Sequence, residues 1–231
     1  MQKIMIGLLL SLMAGSVAAQ SASLLVYQVW EKGSEPYLSR ILVTDDYLRL
    51  DEGSDDGSYT LFDRQQEVLY NVSPEDQSIL VLDVTEPVPP ANEALLLQEE
   101  VQEDPDAPQV AGSQPTHVRL LANGELCSEL VVVKGVMAEA VDALGEMKQA
   151  LARVQAATLG AMPLEARTAC DLAMNVHAPA RTLRFGLPLQ ERSGGRSQSL
   201  VDFSDAHEVD DALFKLPEEF ARRPLFMSGA I

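Results

Sequence analysis

The chain is poor in the side chains that most reactions need. It holds two cysteines and three histidines in 231 residues. His117, His177 and His207 fall in different predicted elements, whereas a metal site needs such ligands to converge. There is no HExxH, GxSxG, Walker loop or post-strand GxGxxG. Basic residues are also scarce. Seventeen Lys and Arg stand against 35 Asp and Glu, a formal charge of −18. A deficit of that size excludes a nucleic-acid binder, because phosphate contacts need a basic stripe. It equally argues against adhesion to anionic lipid head groups. Aromatics make up 5%, with Trp30 the only tryptophan. Beyond the amino end no apolar run reaches 18 residues, so no transmembrane anchor is expected in the mature chain. The 46% hydrophobic content still suffices for a core, and the length suits one domain.

The amino end reads as an export signal over residues 1–19. Lys3 gives a basic start, Ile4 to Ala14 an apolar stretch, and Val17-Ala18-Ala19 places small residues ahead of a cut before Gln20. Its removal leaves 212 residues at −19. A periplasmic or otherwise exported location follows. Export changes the reading of Cys127 and Cys170, which lie outside any CxxC or Cys/His metal spacing. In an oxidising compartment such a pair reads as a structural disulfide, with two free buried thiols as the alternative.

Between Leu24 and Asp83 six short apolar runs alternate with turn residues, the pattern of a β-meander with antiparallel neighbours. In the third run Leu48 and Leu50 lie on one face and Tyr47, Arg49 and Asp51 on the other, which predicts one dry and one wet face. Residues 85–116 break the pattern. Six prolines and seven acidic residues fall there, with no Lys or Arg. This insertion reads as an acidic excursion or a lid, with Asn92 placed to cap a short helix carrying Leu95, Leu96, Leu97 and Val101. Strands resume at His117–Ala122 and Leu126–Lys134 around Asn123-Gly124, a strong hairpin signal. A helix is expected over Met137 to Leu159, with Met137, Val141, Leu144, Met147, Leu151 and Val154 on one stripe. A second helix starts at Pro163 and runs to about Val176. Two last strands, Thr182–Arg192 and Arg196–Phe203, flank Gly194-Gly195. The tail Leu213-Phe214-Lys215-Leu216-Pro217 docks on the body. The class is α+β, an antiparallel sheet with helices on one face.

The polar clusters give no catalytic or metal site. Glu52, Ser54, Asp56, Gly57 and Asp63 fit a calcium-loop spacing poorly, since position 1 is Glu and the flanks are strands. A polar turn explains them. The carboxylate pairs Asp45-Asp46, Asp55-Asp56, Glu99-Glu100 and Asp210-Asp211 sit in predicted turns or loops, where solvent keeps them ordinary. No cofactor is expected.

Several short motifs carry a resemblance. Arg49-Leu50-Asp51, a glycine-containing turn, Leu61-Phe62-Asp63 and Glu67-Val68-Leu69-Tyr70 resemble exported bacterial envelope proteins with the outer-membrane lipoprotein carrier (LolA-like) fold. The later half is similar too: Cys127 on a hairpin, a helix, Cys170, Gly186-Leu187-Pro188 and Phe214-Lys215-Leu216-Pro217. The resemblance implies an unclosed, curved half-barrel sheet over residues 20–231 with helices against its concave face. It implies a concavity that takes acyl chains, and it carries no catalytic residues. The expected function is therefore non-enzymatic binding or carriage of an apolar, lipid-like ligand. Trp30, Leu48, Leu50, Phe62, Met137, Leu144, Met147 and Leu151 are the candidate lining. The alternative is an envelope interaction protein that meets a basic partner through the insertion.

Overall fold

The computed structural model describes residues 19–91, 95–161 and 167–225. The predicted export signal, apart from Ala19, and the proposed helix starts at Asn92 and Pro163 lie outside them.

The strands are β1 (Ala19–Glu31), β2 (Tyr37–Val43), β3 (Tyr47–Asp51), β4 (Tyr59–Asp63), β5 (Val68–Ser73), β6 (Ser78–Leu82), β7 (Leu97–Glu103), β8 (Thr116–Ala122), β9 (Glu125–Val133), β10 (Leu187–Ser193), β11 (Arg196–Asp210) and β12 (Ala221–Pro224). Two helices, α1 (Ala138–Thr158) and α2 (Ala169–Leu172), lie between β9 and β10. All twelve strands join one open sheet in the order β12-β6-β5-β4-β3-β2-β1-β11-β10-β9-β8-β7. The chain thus starts in the middle, walks to one edge, crosses to the other edge at β7, and walks back until β11 pairs with β1.

Every neighbour is antiparallel except β12, which runs parallel to β6. This corrects the all-antiparallel expectation. β12 reaches the sheet by a long crossing from β11 rather than a tight turn, so a parallel approach is open to it.

Turn chemistry accounts for the hairpins. Asn123 and Gly124 both take positive φ (51° and 81°), which the tight β8–β9 turn requires. Gly186 has φ 117°, and a Cβ there would lie 2.1 Å from the Val133 carbonyl oxygen. Only glycine allows that approach, so strand β10 starts at Leu187, and residues 181–183 form a 3₁₀ turn instead of the expected strand. Pro188 adjoins a bulge in the β9–β10 ladder, and its carbonyl accepts the Tyr27 hydroxyl at 2.9 Å.

Helix α1 packs on one face of the sheet. Ala140, Ala143, Leu144, Met147, Ala150 and Val154 meet Leu25, Tyr27, Val29, Ile41, Val43, Leu48, Phe62 and Leu69 in one buried cluster. The buried stripe is richer in alanine than the predicted one. Val141 and Leu151 sit at its margin, and the small side chains let helix and sheet approach closely. Arg64 holds the helix from the β4–β5 turn, its Nε and Nη2 donating to both oxygens of Glu146 at 2.7 and 3.1 Å. Arg153 donates to the Val84 carbonyl at 3.0 Å and to Glu67 at 2.8 Å.

The opposite face of β1–β6 is not wet. Ala22, Leu24, Leu42, Tyr59, Leu61, Val72 and Ile79 form a second cluster with Val209 and Phe214, flanked by Leu213, Leu216 and Phe220. The segment between β11 and β12 is therefore a strap across that face, as the docking tail predicts. Beneath it the polar partners of β3 are buried. Arg49 is 2% exposed and Asp51 3%. Arg49 Nε donates to Asp51 Oδ2 at 2.7 Å, Nη1 to the Leu213 carbonyl at 2.8 Å and Nη2 to the Asp55 carbonyl at 3.0 Å. Its guanidinium stacks 3.8 Å from the centre of the Tyr59 ring. Arg40 adds a bidentate pair to Asp51, both bonds 2.8 Å.

Burial raises the Asp51 carboxyl, but the hydrogen bonds from Arg40 and Arg49 and from the Gly53 amide outweigh it and hold the group below the usual carboxylate value. Asp51 therefore stabilises the fold above an unfolded value of about 4, and that contribution is lost as pH falls through the lower folded value. Asp51→Asn is expected to cost about 3 kcal/mol at neutral pH by leaving Arg49 buried without its counter-charge. Urea denaturation should show the gap between wild type and variant closing in acid; a gap that stays constant would contradict the pairing.

Candidate functional site

The insertion and the two helices border a sheltered hollow. Residues 97–103 form a strand rather than the expected helix, because the free edge of β8 offers a full ladder to them. Asn123 pins the start of that strand, with its Oδ1 accepting from the Leu96 amide at 2.8 Å and its own amide donating to the Leu96 carbonyl at 2.9 Å. On the other side, Cys170 is bridged to Cys127 on β9 (S–S 2.06 Å), which ties α2 to the β8–β9 hairpin. Thr168 caps α2, accepting from the Asp171 amide at 3.1 Å. α2 runs directly into a π-turn over Ala173–His177, closed by the Ala178 amide donating to the Ala173 carbonyl at 2.9 Å. The expected second helix is thus seen over residues 169–177, its last five residues wound as a π-helix, and it ends one residue past the expected Val176. π-turns of this kind recur at functional sites.

Between these parts lies a crevice of about 350 Å³, lined by Pro89, Leu95, Ala156, Leu159, Leu172 and Val176 together with the polar Asn123, Arg167 and His177. A separate, more open hollow of about 610 Å³ lies on the other side of His177, with Leu97, Ala178, Pro179, Arg181 and Arg184 in its wall. His177 lines both. Leu96, Leu97 and Val101 are exposed by 61, 41 and 54%, so apolar surface gathers around this end of the insertion.

Arg181 is the most constrained group there. It is 3% exposed, and donates from Nη1 to the Leu121 carbonyl at 3.1 Å and from Nη2 to the Gln98 carbonyl at 2.9 Å. Leu121 and Gln98 face one another across β7 and β8, so one guanidinium clamps the insertion strand to the sheet. Its Nε has no hydrogen-bond partner. Burial lowers its pKa, opposed by Glu99 and reinforced by Arg184. Glu99 Oε1 lies 2.7 Å from Arg184 Nη1 and 3.9 Å from Arg181 Nη2.

The residues expected to line a ligand site are dispersed. Leu48, Phe62, Leu144 and Met147 are buried in the cluster under α1, where packing occupies them. Met137 and Leu151 are half-buried at its margin. Leu50 borders a separate hollow of about 490 Å³ with Tyr37 and Leu80. Trp30 is 43% exposed and borders a groove of about 500 Å³ on the open face of β8–β11, beside His117, Arg119, Glu129 and Arg192. That groove is shallower and mixed in charge. Among the described residues no three His, Cys, Asp or Glu side chains are placed to hold a metal ion. In the tested calcium-loop stretch, Asp55 is taken by Arg40 at 2.7 Å and the Asp63 carboxylate accepts from the amides of Gln65 and Gln66.

Arg181, Arg184 and the apolar residues of α2 were not legible as a site. The one signal was a pair of arginines three residues apart, following three small residues, in a chain this acidic. No protein-family model matches the chain, and no curated protein matches it.

Arg181→Ala should release β7 while sparing the centre of the sheet. Amide hydrogen exchange over residues 97–103 is expected to speed up at least tenfold, with β4 and β5 unchanged. Unchanged protection in β7 would show that the clamp is dispensable.

Proposed function

We propose that this chain is an exported, non-enzymatic binder or carrier of an apolar, lipid-like ligand, built on a curved half-barrel of the lipoprotein-carrier kind. The ligand sits in the crevice between the end of α1, α2 with its π-turn, and the insertion. It does not sit under α1, where alanine-rich packing leaves the sheet face occupied. The observation that carries this reading is the apolar cluster of Leu95, Ala156, Leu159, Leu172 and Val176 on one part of the wall of a crevice of about 350 Å³, with Asn123, Arg167 and His177 as its few polar groups. The disulfide supports residence in an oxidising compartment. No described helix is long and apolar enough to cross a membrane.

A second reading rests on β7. It is an edge strand, exposed along its whole length, with Glu99, Glu100 and Glu103 on it. Such an edge can add a strand from a partner, and its acidity favours a basic one.

The neutral fluorophore N-phenyl-1-naphthylamine tests the first reading. Wild type should bind it with a blue-shifted emission. Ala156→Trp, which fills the crevice from a half-buried position, should weaken binding at least tenfold. Equal binding by both proteins, or none by wild type, would refute the crevice as the site.

A further inference from the structure

The hollow beside the crevice has the wrong charge for this protein. The chain carries about two acidic residues for each basic one. Among the residues lining this hollow, Arg181 and Arg184 stand against a single acid, Glu99. One of those arginines is almost wholly buried and keeps an unpartnered Nε. Burying a guanidinium with part of its donor capacity unmet is unfavourable unless an acceptor is available. Glu99 does not meet that need: its carboxylate bonds Arg184 at 2.7 Å, and its approach to Arg181, at 3.9 Å, is to Nη2 rather than to Nε. It reaches the site from β7, the edge strand, and is itself 26% exposed at the side chain. Arg184 is 64% exposed, so its guanidinium is free to turn toward a new partner.

We infer that the hollow at Arg181 and Arg184 receives the carboxylate of a single-chain amphiphile, which takes the place that Glu99 holds in the empty protein, while the apolar tail passes His177 into the crevice. The inference rests on the apolar-ligand reading above and adds the class of head group. A carboxylate is the group chosen because the resident stand-in is one, and a planar two-oxygen head matches the fork of a guanidinium. Glu99 then acts as an internal competitor. It neutralises the arginines when the crevice is empty and must be displaced on loading.

Calorimetric titration of the full chain with dodecanoate, dodecanol and dodecyl phosphate separates the elements of this proposal. Wild type should bind dodecanoate at least tenfold more tightly than dodecanol. Arg184→Gln, a change at an exposed side chain, should abolish that preference. Glu99→Gln should tighten dodecanoate binding severalfold by removing the competitor. Equal binding of dodecanoate and dodecanol by wild type, or a preference that survives Arg184→Gln, would overturn the head-group assignment and leave the apolar crevice standing. A preference for dodecyl phosphate over dodecanoate would overturn the carboxylate in favour of a phosphate. Binding of none of the three would overturn both this assignment and the apolar-ligand reading.

Discussion

Arg49 carries a full positive charge to a position 2% exposed, and Asp51, two residues on in the same strand, neutralises it. Because side chains alternate along a strand, both groups fall on the same face of β3. Neither can be left without the other, since an unpaired buried charge costs several kcal/mol. The remaining donors of Arg49 then dictate what lies above them. One takes the Leu213 carbonyl of the strap and another the Asp55 carbonyl of the β3–β4 loop. With the strap fixed there, Phe214 seals the second apolar cluster, and the chain continues to β12 at the far edge. A polar pair thus specifies where an apolar layer sits.

Much of this architecture was readable from local chemistry. The meander, the Asn123-Gly124 hairpin, α1 and the docking tail follow from short-range patterns that the tertiary structure does not override. The failures have a common physical origin. Arg49 and Asp51 read as a wet face because alternation reports only which residues share a side, not whether a distant segment covers it. Leu95 to Val101 read as a helix because three leucines and a valine suit either state, and only the open edge of β8 decides for a strand from Leu97 on. The extent of α2 depended on a disulfide and a π-turn, neither of which leaves a periodic mark. The arginines of the hollow gain their meaning from Glu99, some 80 residues earlier in the chain, which no local pattern links to them.

The division of labour between the two halves of the sheet explains where open space remains. On β1–β6 α1 covers much of one face and the strap much of the other, and the hollow left beside Tyr37, Leu50 and Leu80 is wide open. On β7–β9 the helical cover is short. It consists of α2 and its π-turn, tethered by Cys127–Cys170 and closed by Arg181. Less cover leaves space, and the insertion supplies the remaining wall. The acidic segment is therefore part of the scaffold of the crevice rather than an appendage.

The placement of β1 has a consequence for how the molecule comes into being. The first strand lies in the middle of the sheet, and its partner on one side, β11, is made last but one. A chain synthesised amino end first can fold β1 to β6 as a local meander, yet one flank of β1 stays without a neighbour until residues 196–210 arrive. For that interval the future centre of the protein is an outer margin thirteen residues long, open to capture by any extended segment. The joining of the two halves is thus a late, long-range event. The seam between β1 and β11 joins segments further apart in the chain than any other strand pair of the sheet.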